Sequence, residues 1–260
     1  MGPAIDCHAH VFTATASAVP GARYRPTYEA TLAQWQRQWR AVGVTHGVLV
    51  QPSFFGTDNS EMLAALRKDP RHLRGVAVVE AGVEEKTLQA LQDAGVRAIR
   101  FNLRGAAPDR LDLPGWGPTL QGIAARGWHL EVFADAGAVP RIARALASSP
   151  MRIVFDHFGH PDPRDVEATF SALEALRASH EIWAKLSAPY RLNGADPKRL
   201  VERWIDLVGT TRLVWGSDWP WTGHQSGRDY ADLLANVGRW VGKPGARAVL
   251  WDNPARLYGF

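Results

Sequence analysis

The stretch Ala4-Ile5-Asp6-Cys7-His8-Ala9-His10-Val11 reads as a buried β-strand near the head of the chain. Side chains alternate along a strand, which predicts His8 and His10 on one side and Cys7 on the other. Two imidazoles at that spacing can hold one metal ion or polarise one oxygen. Two polar rings on a short apolar strand also need partners. A helical pattern, Tyr28–Val42, follows, and then a second apolar, β-branched strand, Val44–Val50.

The same alternation continues to the end of the chain. Strands are predicted at Gly75–Val79, Val96–Phe101, His129–Phe133, Ile153–Phe158, Ile182–Leu186 and Leu213–Gly216. Helices are predicted at Glu61–Lys68, Lys86–Ala94, Leu120–Arg126, Val139–Leu146, Val166–Ala178, Arg199–Val208 and Tyr230–Val241, with Gly95 and Gly127 as stops. Near-continuous apolar strands alternating with amphipathic helices imply a covered parallel sheet. Eight such units within 260 residues predict an α/β fold of one domain, a (β/α)8 TIM barrel over 1–260. No Gly-rich dinucleotide fingerprint follows the first strand.

Composition narrows the class. Hydrophobic residues at 46% and charged residues at 22% describe a globular chain. No apolar run suggests a membrane span, and no signal peptide precedes the first strand. One cysteine excludes an intrachain disulfide and points to the cytoplasm. The net charge of +4 comes with scattered arginines rather than a dense basic run, so a small anionic substrate is expected and nucleic acid is not. Oligomeric state, including a homo-oligomer, is left open.

In a barrel of this kind, chemistry collects where strands end. Besides His8 and His10, those ends carry Phe155-Asp156-His157-Phe158-Gly159-His160-Pro161 and Trp215-Gly216-Ser217-Asp218-Trp219-Pro220. His157 and Asp218 can converge on His8 and His10 across the mouth, whereas His160 lies past its strand. The irregular stretches Phe12–Pro26, Arg104–Pro118 and Ser217–Asp229 all follow strands and belong to the same face. Asp58-Asn59-Ser60-Glu61 reads as a cap for the second helix. Lys185 reads as half of a structural ion pair with a barrel acid such as Asp6.

These motifs resemble the amidohydrolase superfamily, of the amidohydrolase 2 type. The resemblance is closest to a lactonase-rich branch that includes 2-pyrone-4,6-dicarboxylate lactonase. Val50-Gln51-Pro52-Ser53 with Gly56-Thr57-Asp58-Asn59, Gly95-Val96-Arg97-Ala98-Ile99-Arg100-Phe101-Asn102, and the terminal Asn253-Pro254-Ala255-Arg256-Leu257-Tyr258-Gly259-Phe260 extend it over the whole chain. Two departures narrow what it implies. Two-metal members carry a modified lysine or a glutamate where Arg100 stands, and a histidine at the end of strand five, where this chain has Glu131-Val132-Phe133-Ala134. His129 sits at the wrong end of that strand. The resemblance therefore implies no binuclear centre. His8, His10, His157 and Asp218 remain, either without metal or around one Zn²⁺. A fixed guanidinium at Arg100 opposes a second cation and favours a substrate carboxylate.

The expected function is hydrolysis of a carboxylated lactone such as 2-pyrone-4,6-dicarboxylate. Asp218 would be the general base, with His8, His10 and His157 polarising the carbonyl. Arg100, Arg104 and Arg191 would anchor carboxylates, with Tyr24 and Ser53 as further contacts. The alternative is a mononuclear zinc enzyme on the same four residues, opening a sulfo- or sugar lactone or decarboxylating an aromatic acid. A binding protein on this scaffold is a third reading, against which stands the complete set of four residues.

Overall fold

The computed structural model describes residues 2–104, 115–147 and 151–260. Most of the irregular stretch Arg104–Pro118 therefore lies outside the described residues. The strands are β1 (Ala4–Ala9), β2 (Val44–Val50), β3 (Leu73–Ala77), β4 (Val96–Asn102), β5 (His129–Phe133), β6 (Arg152–Phe155), β7 (Glu181–Ser187) and β8 (Leu213–Gly216). All eight pair in parallel and in chain order. The ring closes just past β8, where Ala9 bridges Trp219. There the Asp218 N–H donates to His8 O at 2.8 Å, and the His10 N–H to Trp219 O at 2.8 Å. Helices α1 (Leu32–Val42), α2 (Ser60–Lys68), α3 (Glu85–Asp93), α4 (Trp116–Ala125), α5 (Val139–Ala145), α6 (Val166–Arg177), α7 (Pro197–Val208) and α8 (Tyr230–Arg247) follow the strands in turn. This is the (β/α)8 barrel that the alternation predicts.

Two apolar layers follow from the strand pattern. Inside the ring, Ile5, Cys7, Val48, Val76, Val154 and Val214 pack together with Leu257 and Tyr258 of a last helix, α9 (Asn253–Tyr258). The Tyr258 ring sits 5.0 Å from that of His129, which begins β5, so α9 plugs the end where the strands start. Outside the ring, Trp35, Leu66, Leu88, Ile123, Leu173 and Trp204 cover the outward faces of the strands.

The structure departs from strict alternation in β1. Asp6 pairs with Gly47 but Ala9 with Leu49, so β1 spends three residues where β2 spends two. Such a bulge shifts the side-chain phase. His8 therefore turns into the barrel interior beside Cys7, which already faces inward with Ile5, so Cys7 does not lie on the side opposite to His8 and His10 as alternation predicts. Two helix starts also differ from expectation. α1 begins after Tyr28 because Thr31 caps it, in a box where the Thr31 N–H donates to Gln34 Oε1 at 2.6 Å. At α2 the Asp58 carboxylate accepts from the Ser60 N–H at 3.0 Å, as the cap reading expects, but Asn59 makes no cap bond. Its amide instead binds both the N–H and the C=O of Val78, at 3.0 and 2.8 Å, fastening that loop to the end of β3.

The closure leaves no space at Gly216. A Cβ there would lie 2.5 Å from His8 Cβ and 2.9 Å from His8 N. Gly216→Ala is expected to cost about 1–3 kcal/mol, the usual range for overpacking, and to depress activity by displacing His8. Thermal denaturation checks this, and an unchanged melting temperature would contradict the tight β8–β1 seam.

Candidate active site

Asp218 stands at the centre of the barrel mouth. Its backbone is left-handed, with φ 57°, a conformation that a non-glycine residue adopts at some cost. Ser217 shapes this turn, since its Oγ donates to Asp6 Oδ2 at 2.6 Å and accepts from the Trp219 N–H at 3.0 Å. Across the mouth, His157, Phe158, Gly159 and His160 form an unbroken run of positive φ. That run ends β6 early and turns His157 over the opening.

One oxygen of Asp218 gathers the imidazoles. Oδ1 lies 3.6 Å from His8 Nε2, 3.8 Å from His157 Nε2 and 3.9 Å from His10 Nε2. The other oxygen is held fast. Tyr190 OH donates to Oδ2 at 2.7 Å, and Arg191 Nε at 2.8 Å. Burial would raise the Asp218 carboxyl, but the Arg191 guanidinium and the surrounding imidazoles hold it well below the usual carboxylate range. Asp218 is thus ionised throughout the physiological range.

Each imidazole is fixed from behind. His10 Nδ1 lies 2.7 Å from Val50 O, which can only accept, so Nδ1 carries the proton and Nε2 faces the site with a lone pair. Burial, then the neighbouring His8 and Arg100, push His10 down to about 3, so it is neutral. His157 Nδ1 meets Ser187 Oγ at 2.8 Å, and burial holds this ring well below its usual range too. His8 is wholly buried and its Nδ1 meets Lys185 Nζ at 3.3 Å.

His10, His157, Arg100, Arg104, Arg191, Asp218, Tyr24 and Ser53 all line one cavity of about 260 Å³ at this mouth. That volume is at the small end for a ligand pocket. His8 lies beneath the cavity wall, under Asp218. Two arginines are already paired with acids. Arg100 Nε donates to Asp156 Oδ2 at 3.0 Å, and Arg191 is bound to Asp218 as described. Arg104 lies 3.7 Å from Asp135. The Arg100 and Arg104 guanidinium carbons are each 5.6 Å from the centre of the Phe133 ring. His160 pairs with Asp135 at 3.4 Å and lines a neighbouring depression instead. Trp219 and Trp221 are absent from the wall of the main cavity.

Lys185 forms a buried ion pair, but not with Asp6. Its partners are Glu131 and Asp156, reached across the barrel interior. Asp6 faces outward and accepts from Trp35, Ser217 and Tyr230. Sequence reading also passes over Tyr190 and Arg23. Tyr190 directly precedes Arg191, and Arg23 directly precedes Tyr24 on the loop that lines the cavity, so adjacency was the available signal.

His8, His10 and Asp218 place a possible ligand atom each within 4.8 Å of one another, as do His8, Asp156 and His157. In distance these groups fit one ion. In hydrogen bonding they fit unevenly. His10 offers a lone pair backed by a carbonyl, as a metal-bound imidazole requires, whereas His8 is backed by an ammonium.

A parallel barrel whose β1, β6 and β8 ends converge imidazoles on one aspartate has the architecture of a hydrolase that activates water. Residues 5–260 match the amidohydrolase family, and the chain belongs to it. The 2-pyrone-4,6-dicarboxylate hydrolase of Comamonas testosteroni is 30% identical over 98% of this chain and 90% of its own. The 4-sulfomuconolactone hydrolase of Rhizobium radiobacter is 29% identical over 98% of this chain and 89% of its own. A Pseudomonas putida protein solved under the name 2-pyrone-4,6-dicarboxylic acid hydrolase is 38% identical. It superposes with a TM-score of 0.89, covering 98% of this chain and 97% of its own.

The depressed His10 carries a pH consequence. From about pH 6.5 down to about 3, the unfolded chain takes up a proton there that the folded chain refuses, so acid destabilises the fold. His10→Asn is expected to flatten the melting temperature against pH in this window. The gain is at most about 1.4 kcal/mol per pH unit. A curve parallel to wild type would show that His10 titrates normally.

Proposed function

We propose that the protein hydrolyses the ring ester of a lactone bearing one or more carboxylates, with 2-pyrone-4,6-dicarboxylate as the first substrate to test. The observation that carries this reading is the placement of Asp218 Oδ1 among three imidazole Nε2 atoms, at the floor of a cavity walled by Arg100, Arg104 and Arg191. Two of the relatives are named for activities on a pyrone dicarboxylate and on a sulfomuconolactone, both anionic lactones.

The chemistry follows from the proton positions. A water lodged against Asp218 Oδ1 loses a proton to the carboxylate as its oxygen bonds to the lactone carbonyl carbon. His10, with its Nε2 lone pair, accepts a hydrogen bond from the water's other hydrogen, which stays on the oxygen, and turns the oxygen lone pair toward the carbonyl. His157 faces the developing oxyanion, and His8 supports Asp218 from below. Collapse of the tetrahedral intermediate breaks the ring C–O bond, and the proton held by Asp218 passes to the leaving oxygen. Asp218 is a weak base while Arg191 holds it. A substrate carboxylate that draws on Arg191 loosens that hold and strengthens the base when substrate is present. No metal enters this scheme.

The reading that rests on one Zn²⁺ at His8, His10, His157 and Asp218 draws on the proximity of the candidate ligand atoms. It suits a sulfolactone or sugar lactone, or decarboxylation of an aromatic acid. The buried lone cysteine and the absence, among the described residues, of a helix long and apolar enough to cross a membrane support a cytoplasmic setting for either reading.

Chelator-treated enzyme is expected to turn over 2-pyrone-4,6-dicarboxylate at the untreated rate, followed as loss of pyrone absorbance. Activity that disappears with chelation and returns with Zn²⁺ would replace this reading with the zinc one, and no turnover in either state would reject the substrate. Asp218→Asn is expected to lower kcat by about 10²–10⁴-fold, the usual worth of a general base. The variant should still gain thermal stability from pyridine-2,6-dicarboxylate. Arg104→Met is expected to raise KM roughly ten- to hundredfold, the loss of one charged hydrogen bond of about 1.5–3 kcal/mol, with kcat nearly kept.

A further inference from the structure

Lys185 is wholly buried on β7, beneath the site and out of contact with its cavity. An ammonium has three N–H donors and no acceptor. Three acceptor atoms surround this one. Glu131 Oε2 lies at 2.5 Å, His8 Nδ1 at 3.3 Å and Asp156 Oδ1 at 3.3 Å. Glu131 is itself pinned, since Tyr258 OH donates to its other oxygen at 2.7 Å and His129 Nε2 lies 3.4 Å from that oxygen. The ammonium therefore cannot drift from beneath His8.

We propose that Lys185 is a positioning residue that keeps the proton of His8 on Nε2, where it points at Asp218 Oδ1. A group with only donors can bond Nδ1 only if Nδ1 has a lone pair. The single proton of a neutral imidazole must then sit on Nε2, 3.6 Å from Asp218 Oδ1. The competing arrangement has Nδ1–H donating to Asp156 Oδ1. That oxygen is also 3.3 Å from Nδ1, but it faces the Lys185 ammonium at the same distance, which already supplies it with a donor. The other Asp156 oxygen is taken by Arg100.

Two consequences distinguish His8 from His10. His10 turns a lone pair to the site and His8 an N–H, although both belong to one strand and sit two residues apart. An imidazole whose Nε2 carries hydrogen has no lone pair there for a metal, so Lys185 opposes the zinc reading at its first ligand. The proposal rests on the lactonase reading for what His8 does to Asp218, though not for where the proton sits.

The test separates these two. Imidazole ¹⁵N spectra of the intact enzyme, with the His8 signals assigned by their loss in His8→Gln, report which nitrogen bears hydrogen without any substrate. Wild type is expected to show His8 protonated on Nε2 and His10 protonated on Nδ1. In Lys185→Met, the His8 proton is expected to move at least partly to Nδ1, and in Lys185→Arg to stay on Nε2. A wild-type His8 with hydrogen on Nδ1 overturns the proposal, as does a Lys185→Met spectrum unchanged from wild type. Where Lys185→Met does not fold, Glu131→Gln serves as the second variant, expected to broaden or shift the His8 signals by freeing the ammonium. Unchanged His8 signals there count against the proposal. If the enzyme hydrolyses the pyrone, Lys185→Met is also expected to lower kcat at least about tenfold with KM kept within about threefold, and Lys185→Arg to restore part of the rate. If the pyrone is not a substrate while the spectra come out as expected, the lactonase reading fails and the tautomer assignment stands.

Discussion

One carboxylate joins the two ends of the strand ring. Asp6, wholly buried on β1, accepts from the Ser217 N–H and Oγ at 2.8 and 2.6 Å, from Trp35 Nε1 at 2.9 Å and from Tyr230 OH at 2.8 Å. Those donors come from α1, from the turn after β8 and from α8. A buried charge with fewer partners would be costly, and here each lone pair meets a directed donor. The turn that Asp6 holds through Ser217 is the one that presents Asp218. The seam that closes the barrel and the turn that carries Asp218 are therefore one hydrogen-bonded assembly.

Above that seam, opposite charges alternate through the mouth. Asp218 is bound to Arg191, Asp156 to Arg100 and to Lys185, and Lys185 to Glu131. Each cation holds its acid ionised in a buried place, and each acid keeps its cation from repelling the next. The charges of the site are thus already matched, and under the proposed function an incoming carboxylate would compete with Asp218 for Arg191, coupling binding to base strength. Phe133, under both Arg100 and Arg104, supplies a flat apolar face for their planes rather than another hydrogen-bonding partner.

Much of this was readable in the residue order. Apolar runs bounded by glycine marked the strands, and the polar residues closing β1, β6 and β8 marked the mouth, because barrel geometry sends every strand end to the same face. What escaped reading were relations across the ring. The bulge in β1 turns His8 to the same side as Cys7, and no local pattern announces it. Lys185 meets Glu131 and Asp156 rather than Asp6 because partners in a barrel are set by closure and stagger, which alternation along one strand does not encode. Arg100 and Arg191 were read as substrate anchors, yet both already bind acids, Arg100 the Asp156 that follows β6 two strands away and Arg191 the Asp218 that follows the adjacent β8. Asn59 looked like a helix cap and is a brace for β3, since its partner at Val78 lies nineteen positions on.

The plug formed by α9 has a meaning for synthesis. Glu131 is made when β5 is made and Lys185 when β7 is made, but Tyr258, which steadies Glu131 from the far end of the barrel, follows β8 in the chain. During translation the whole ring of strands leaves the ribosome before the hydroxyl that completes the buried charge chain. Tyr258 is therefore the last partner of this buried charge chain to be made, and a chain that ended before α9 would lack both the plug and the hydroxyl that meets Glu131.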